Sequence, residues 1–178
     1  MKITTRMMTQ AAVIAAAYVV LTLPFAQFAF GGPFQFRLAE ALTVLAALTP
    51  AAVPGLFIGC LITNLFNPQT FGLLDIILGS LATLTAAWLT WRLQMLWLKT
   101  EPSRWYRTIL VISPSVWVNA IVVGLYLPFL LPDQTVTLPV VLAFMGSILV
   151  SQALVVYAIG LPFFLALRRI RWNLPRSD

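Results

Sequence analysis

Apolar runs alternate with short polar or proline-rich breaks along this chain, and six such runs can be read. The first covers about 7–29, MMTQAAVIAAAYVVLTLPFAQFA, and ends at a turn-rich GGP at 31–33. A short second run, about 36–48, is joined to the third, about 52–66, by the tight connection TPAAVP at 49–54. The fourth is about 72–97, and the polar, basic loop KTEPSRWYR at 99–107 separates it from the fifth, about 108–131. After PDQTVT at 132–137 the sixth runs over about 138–168. A helix that spans a bilayer needs roughly 20 apolar residues. Runs one, four, five and six meet that length; two and three fall short. Lipid offers no hydrogen-bond partners, so their backbone must be satisfied inside the protein. The pattern predicts two short or tilted helices packed among four long ones, with a re-entrant pair as the alternative.

Composition makes the bilayer the solvent. Of 178 residues, 61% are hydrophobic and 9% charged, with a mean hydropathy of +0.95. A soluble domain is usually about 25% charged. The expected fold is an all-α integral membrane protein of one domain, residues 1–178, with six helices. A net charge of +6 could suggest nucleic acid in a soluble protein; here it marks cytoplasmic loops, and no nucleic-acid partner is expected. With six crossings and both termini cytoplasmic, Lys2, Arg6, Arg92, Lys99, Arg104, Arg107, Arg168, Arg169, Arg171 and Arg176 all fall on the inner side. Arg37 alone falls outside. Trp91, Trp97, Trp105 and Trp172 then gather at the inner interface, where amphipathic rings prefer to lie. Lys2 and Arg6 before an Ala-rich run also fit a cleaved signal peptide loosely, but no clear small-x-small site follows.

Against this background, FRLAEALTVL at 36–45 places Arg37 and Glu40 in an apolar run. Each intramembrane charge costs about 2.5–3.5 kcal/mol on insertion scales and is a functional candidate by default. Residues three apart share a helix side. Asn64 and Asn67 close run three, and Asp75 begins run four, at the same outer end. Together these groups could line one outward-facing cavity. The bland alternatives are an Arg37–Glu40 clasp and, for Asp75, a carboxylate in a helix first turn where it suits the dipole. Asn119 and Gln152 lie near the midplane, as a cavity floor or as hydrogen bonds across helices. Trp117 could stack on a flat ligand or simply face lipid or core. Small-residue stripes, Ala11/Ala15, Ala12/Ala16 and Gly55/Gly59, allow close backbone approach, either within the protein or toward another membrane protein.

Other chemistries lack their residues. There is no histidine, and Cys60 is the single cysteine, so two acids make a poor metal site. No GxxxxGK[ST] phosphate loop is present. Ser113, Ser115 and Ser147 have no base in an obvious motif. No metal and no cofactor are expected in this chain, which reads as a non-enzymatic binder or conduit energised from elsewhere.

FRLAEALTVL, followed by PGLFIGCLITNL and DIILGSLAT, resembles the QueT family, substrate-binding S-components of energy-coupling-factor (ECF) transporters. The likeness is clearest over about residues 33–92; the C-terminal half agrees mainly in hydropathy and length. The resemblance implies a six-helix S-component with an outward-opening pocket in a bacterial plasma membrane. It implies a membrane T-component and two ABC-type ATPases as partners, with ATP used by those ATPases. It implies a T-component contact through an AxxxA-like motif in the first helix, which Ala11, Ala12, Ala15 and Ala16 match, and toppling of the whole subunit to deliver its cargo. The implied substrate is a queuosine precursor, an aminomethyl-deazaguanine or queuine. Chemistry then suggests Glu40 for the paired N–H donors of a guanine-like edge. Arg37 would orient Glu40 or meet the ring carbonyl, and Asp75 with Asn64 would take the cationic aminomethyl group. A different vitamin or purine-like ligand, or an assembly subunit without ligand, are the alternatives.

Overall fold

The computed structural model describes residues 4–26, 35–67, 71–97, 105–131 and 135–169. The GGP turn and Lys2, Lys99, Glu101, Arg104, Asp133, Arg171, Trp172 and Arg176 lie outside the described residues.

Six helical segments follow one another. Four are long and apolar enough to cross a membrane: α1 (Thr5–Phe25), α4 (Leu73–Trp97), α5 (Trp105–Leu130) and α6 (Leu138–Arg169). Between the first two lie the short α2 (Leu38–Ala47) and α3 (Ala52–Phe66), close to the bounds that the hydrophobic pattern predicts. Thr4 caps α1, its hydroxyl accepting from the Met7 N–H at 3.3 Å. Proline sets two irregularities. Pro114 has no N–H to continue the ladder, so α5 breaks at Ser113 and restarts. In α6 the stretch Leu154–Gly160 widens to a π-helix just before Pro162. The two irregular points are tied together. The Ser113 hydroxyl donates to the Ile109 carbonyl at 2.6 Å and lies 2.8 Å from the Tyr157 hydroxyl.

Helix α2 is the centre of the bundle. It is wound as a ten-residue 3₁₀ helix, and every residue from Ala39 to Ala47 is buried. It packs on α1, α3, α4, α5 and α6. Such long 3₁₀ runs are uncommon, and they rise about 2.0 Å per residue rather than 1.5. Ten residues therefore reach about 20 Å instead of about 15, which lets a short segment penetrate further. Its alanines suit this position, because five neighbouring helices leave little room.

Helices α1 and α3 meet backbone to backbone. A Cβ at Gly55 would lie 2.7 Å from the Ala11 carbonyl oxygen, and one at Gly59 would lie 2.7 Å from Tyr18 Cβ and 3.0 Å from the Ala15 carbonyl oxygen. The Ala11/Ala15 and Gly55/Gly59 stripes thus serve internal packing here. Of the four alanines, Ala11 and Ala15 are buried in this seam while Ala12 and Ala16 are exposed. Of the alanines that match the AxxxA-like motif, Ala11 and Ala15 are taken up by α3 and Ala12 and Ala16 are left on the outer side, because residues four apart lie on one helix face.

Candidate functional site

The 3₁₀ winding of α2 stacks residues three apart. Arg37 at its start, Glu40 and Thr43 therefore fall on one row. Arg37 is 2% exposed and Glu40 is fully buried. Thr43 closes the row locally, its hydroxyl donating to the Glu40 carbonyl at 2.6 Å. Three hydroxyls from three other helices converge on the Glu40 carboxylate. Tyr18 of α1 donates to Oε1 at 2.8 Å, Thr83 of α4 reaches the same oxygen at 3.1 Å, and Ser115 of α5 donates to Oε2 at 3.0 Å. A carboxylate has about four lone-pair sites. Oε1 thus meets two hydroxyls and Oε2 one, with the single Thr83 proton shared with the Gly79 carbonyl at 3.3 Å and Cys60 Sγ at 3.4 Å.

Asp75 is also fully buried. It sits in the first turn of α4, as its place in the sequence suggests. The Phe71 N–H donates to Oδ2 at 3.3 Å, a link across the helix start that suits the dipole. Tyr126 of α5 donates to Oδ1 at 2.6 Å. Among the described residues each Asp75 oxygen accepts one hydrogen bond, fewer than a carboxylate oxygen can take.

Between the two acids lies a chain of polar side chains. Asn64 Nδ2 donates to Cys60 Sγ at 3.6 Å and to Ser80 Oγ at 3.4 Å. Thr83 Oγ1 lies 3.4 Å from the same sulfur. Deeper in the bundle, Asn119 Nδ2 donates to Ser115 Oγ at 3.5 Å and to Gln152 Oε1 at 3.4 Å. The network thus runs from Gln152 through Asn119, Ser115, Glu40 and Thr83 to Cys60 and Asn64. Two of its atoms, Asn64 Oδ1 and Asn119 Oδ1, have no hydrogen-bond partner among the described residues. Both are acceptors.

Gly79 of α4 connects the network to Asp75. A Cβ built there would lie 3.2 Å from Asn64 Nδ2, 3.4 Å from the Tyr126 hydroxyl and 3.8 Å from Arg37 Nη1. One bare α-carbon is therefore ringed by polar tips from α3, α5 and the start of α2.

Of the residues singled out by sequence, Arg37, Glu40, Asn64, Asp75, Asn119 and Gln152 are all nearly or fully buried. Contacts bind Glu40, Asn64, Asn119 and Gln152 into one network, and Gly79 brings Arg37, Asn64 and the Tyr126–Asp75 pair together. Asn67 is buried as well. Trp117 is not part of the cluster: it is 57% exposed, one residue from the buried Val116, so its ring has an outward face and no stacking role inside. Tyr18, Thr83, Ser115, Tyr126 and Gly79 are the participants that sequence reading passes over. Their one signal is hydroxyl and glycine positions within apolar helices, which ordinary packing also produces. Gln35, buried two residues before Arg37, has an Nε2 donor without a partner among the described residues. Among those residues no cluster of three or more metal-binding side chains occurs.

The chain matches the family described as QueT transporter over residues 8–169. It is 38% identical over 74 residues to the queuosine precursor transporter QueT of Lactococcus lactis subsp. cremoris (strain MG1363). That alignment takes in 41% of this chain and 42% of the relative, so the match spans less than half of either protein. No solved structure matches the chain. A multi-helix membrane protein with a buried polar centre, matched across nearly its whole described length, this chain belongs to the QueT transporter family.

Proposed function

We propose that the chain captures a queuosine precursor, a deazaguanine base, from outside a bacterial plasma membrane and delivers it inward as the S-component of an ECF importer. In this reading a membrane T-component and two ABC-type ATPases supply the motion and the ATP hydrolysis, and both termini face the cytoplasm. The observation that carries it is the burial of Arg37, Glu40, Asn64 and Asp75, from three separate segments, around shared polar contacts. A bundle in lipid does not gather such groups cheaply. With ordinary charges the set holds one cation and two carboxylates, which suits a ligand carrying a cationic aminomethyl group.

The hydrogen bonds favour exchanging the roles of the two acids. A guanine-like edge presents an N–H and an amino group side by side. Glu40 already meets three hydroxyls, so accepting both would displace one of them. Among the described residues each Asp75 oxygen accepts a single hydrogen bond, so Asp75 is the acid better placed to take them. Glu40 then anchors the wall, and its remaining site on Oε2 is open to the cationic group. Arg37 and Gln35 supply donors for the ring carbonyl. The exposed Ala12 and Ala16 leave a small-residue face for the T-component.

Calorimetry on the purified, folded protein with deazaguanine bases tests the site. Asp75→Asn is expected to weaken binding by at least tenfold, and Glu40→Gln to weaken it as well. An analogue lacking the amino group should lose roughly 10⁴-fold, because a buried acceptor is left unpaired. Undiminished affinity in both variants would remove the assignment.

A further inference from the structure

The glycines of this bundle differ in what an added Cβ would meet. At Gly55, Gly59 and Gly124 a Cβ would strike a neighbouring helix: the Ala11 carbonyl oxygen at 2.7 Å, Tyr18 Cβ at 2.7 Å, and Met145 Cα at 2.7 Å. Those positions are bare because another helix backbone occupies the space. Gly79 is different. A Cβ there would meet Asn64 Nδ2, the Tyr126 hydroxyl and Arg37 Nη1, at 3.2 to 3.8 Å, all ends of flexible polar side chains. A glycine inside a helix forfeits stability relative to alanine, and here no backbone contact compensates. The second observation lies beside it. Asn64 is 1% exposed, both hydrogens of its amide nitrogen are used on Cys60 and Ser80, and its Oδ1 has no partner among the described residues. A buried acceptor left open is costly unless something donates to it.

Building on the function proposed above, we propose that Gly79 is a specificity residue. The flat edge of the ligand rests on its bare α-carbon, Asn64 Oδ1 accepts a ring or amino N–H there, and the Tyr126–Asp75 pair borders the same spot. The ligand class is a planar heterocycle rich in N–H donors. A methyl group at position 79 would press on Asn64 Nδ2 at 3.2 Å and the Tyr126 hydroxyl at 3.4 Å and so displace the groups that meet the ring, while only side-chain tips need to move.

The test compares the full-length wild type with Gly79→Ala, Asn64→Leu and the control Gly146→Ala, whose added methyl meets nothing within 4 Å. Two readouts are taken: affinity for deazaguanine bases by calorimetry, and ligand retained through purification by native mass spectrometry. Gly79→Ala is expected to weaken binding by about tenfold or more, with an unliganded Tm equal to or above wild type. Gly146→Ala should match wild type. Asn64→Leu should also lose tenfold or more, and it decides the matter if Gly79→Ala does not fold. Wild-type affinity in a folded Gly79→Ala or Asn64→Leu variant overturns the proposal. If wild type ignores deazaguanines but retains another compound that Gly79→Ala does not, the seat stands and the queuosine reading falls. If wild type retains and binds nothing, both fall.

Discussion

At the residue scale, Glu40 is a joint before it is anything else. Tyr18, Thr83 and Ser115 bring α1, α4 and α5 onto one carboxylate carried by α2. Charge-assisted hydrogen bonds of this kind are roughly twice as strong as neutral ones. Removing one hydroxyl leaves a buried oxygen under-satisfied, at a cost of about 1–3 kcal/mol. Tyr18→Phe and Ser115→Ala are therefore expected to lower the unfolding temperature measurably. Ligand affinity in either variant should fall less than in Asp75→Asn. An unaltered melting curve for both would show that the three hydroxyls do not hold the helices together. The pair FRLAE was legible in sequence as two charges out of place. The hydroxyls that explain Glu40 were not, because Tyr18, Thr83 and Ser115 lie 22, 43 and 75 residues away along the chain.

At the scale of elements, α1 has two working faces. One carries Ala11, Ala15 and Tyr18 and is locked on α3 by Gly55 and Gly59. The other carries Ala12 and Ala16, which are exposed. Changes on the two faces should separate cleanly. Gly59→Ala forces a methyl against Tyr18 and the Ala15 backbone, and overpacking of this kind costs about 1–3 kcal/mol; thermal unfolding of the purified protein would register it. Ala16→Leu should leave stability and ligand binding untouched while stopping uptake in cells. Normal uptake by Ala16→Leu would count against a partner on that face. The AxxxA and GxxxG spacings announced close helix contact. Which alanine faced which neighbour depended on the rotation of α1, and its apolar residues run nearly all round the helix.

For the whole molecule, the distribution of basic residues predicts an orientation that single-cysteine labelling can read directly. Cys60 is the native cysteine and is buried, so it should stay silent toward a membrane-impermeant maleimide. Glu101→Cys is expected to label only from the cytoplasmic side and Asp133→Cys only from outside. Labelling of both from one side would overturn the six-crossing arrangement.

Solvent choice, helix number and the whereabouts of the costly charges followed from the chain as written. Those depend on hydropathy summed over about 20 residues and on charge, which need no knowledge of neighbours. The 3₁₀ winding of α2, the three hydroxyls on Glu40, the Tyr126 contact of Asp75, the outward placement of Trp117 and the polar ring around Gly79 were settled by tertiary structure alone. Each depends on which residues from distant segments meet at a few ångströms, and a hydroxyl or a glycine in an apolar helix carries no mark of what it will face.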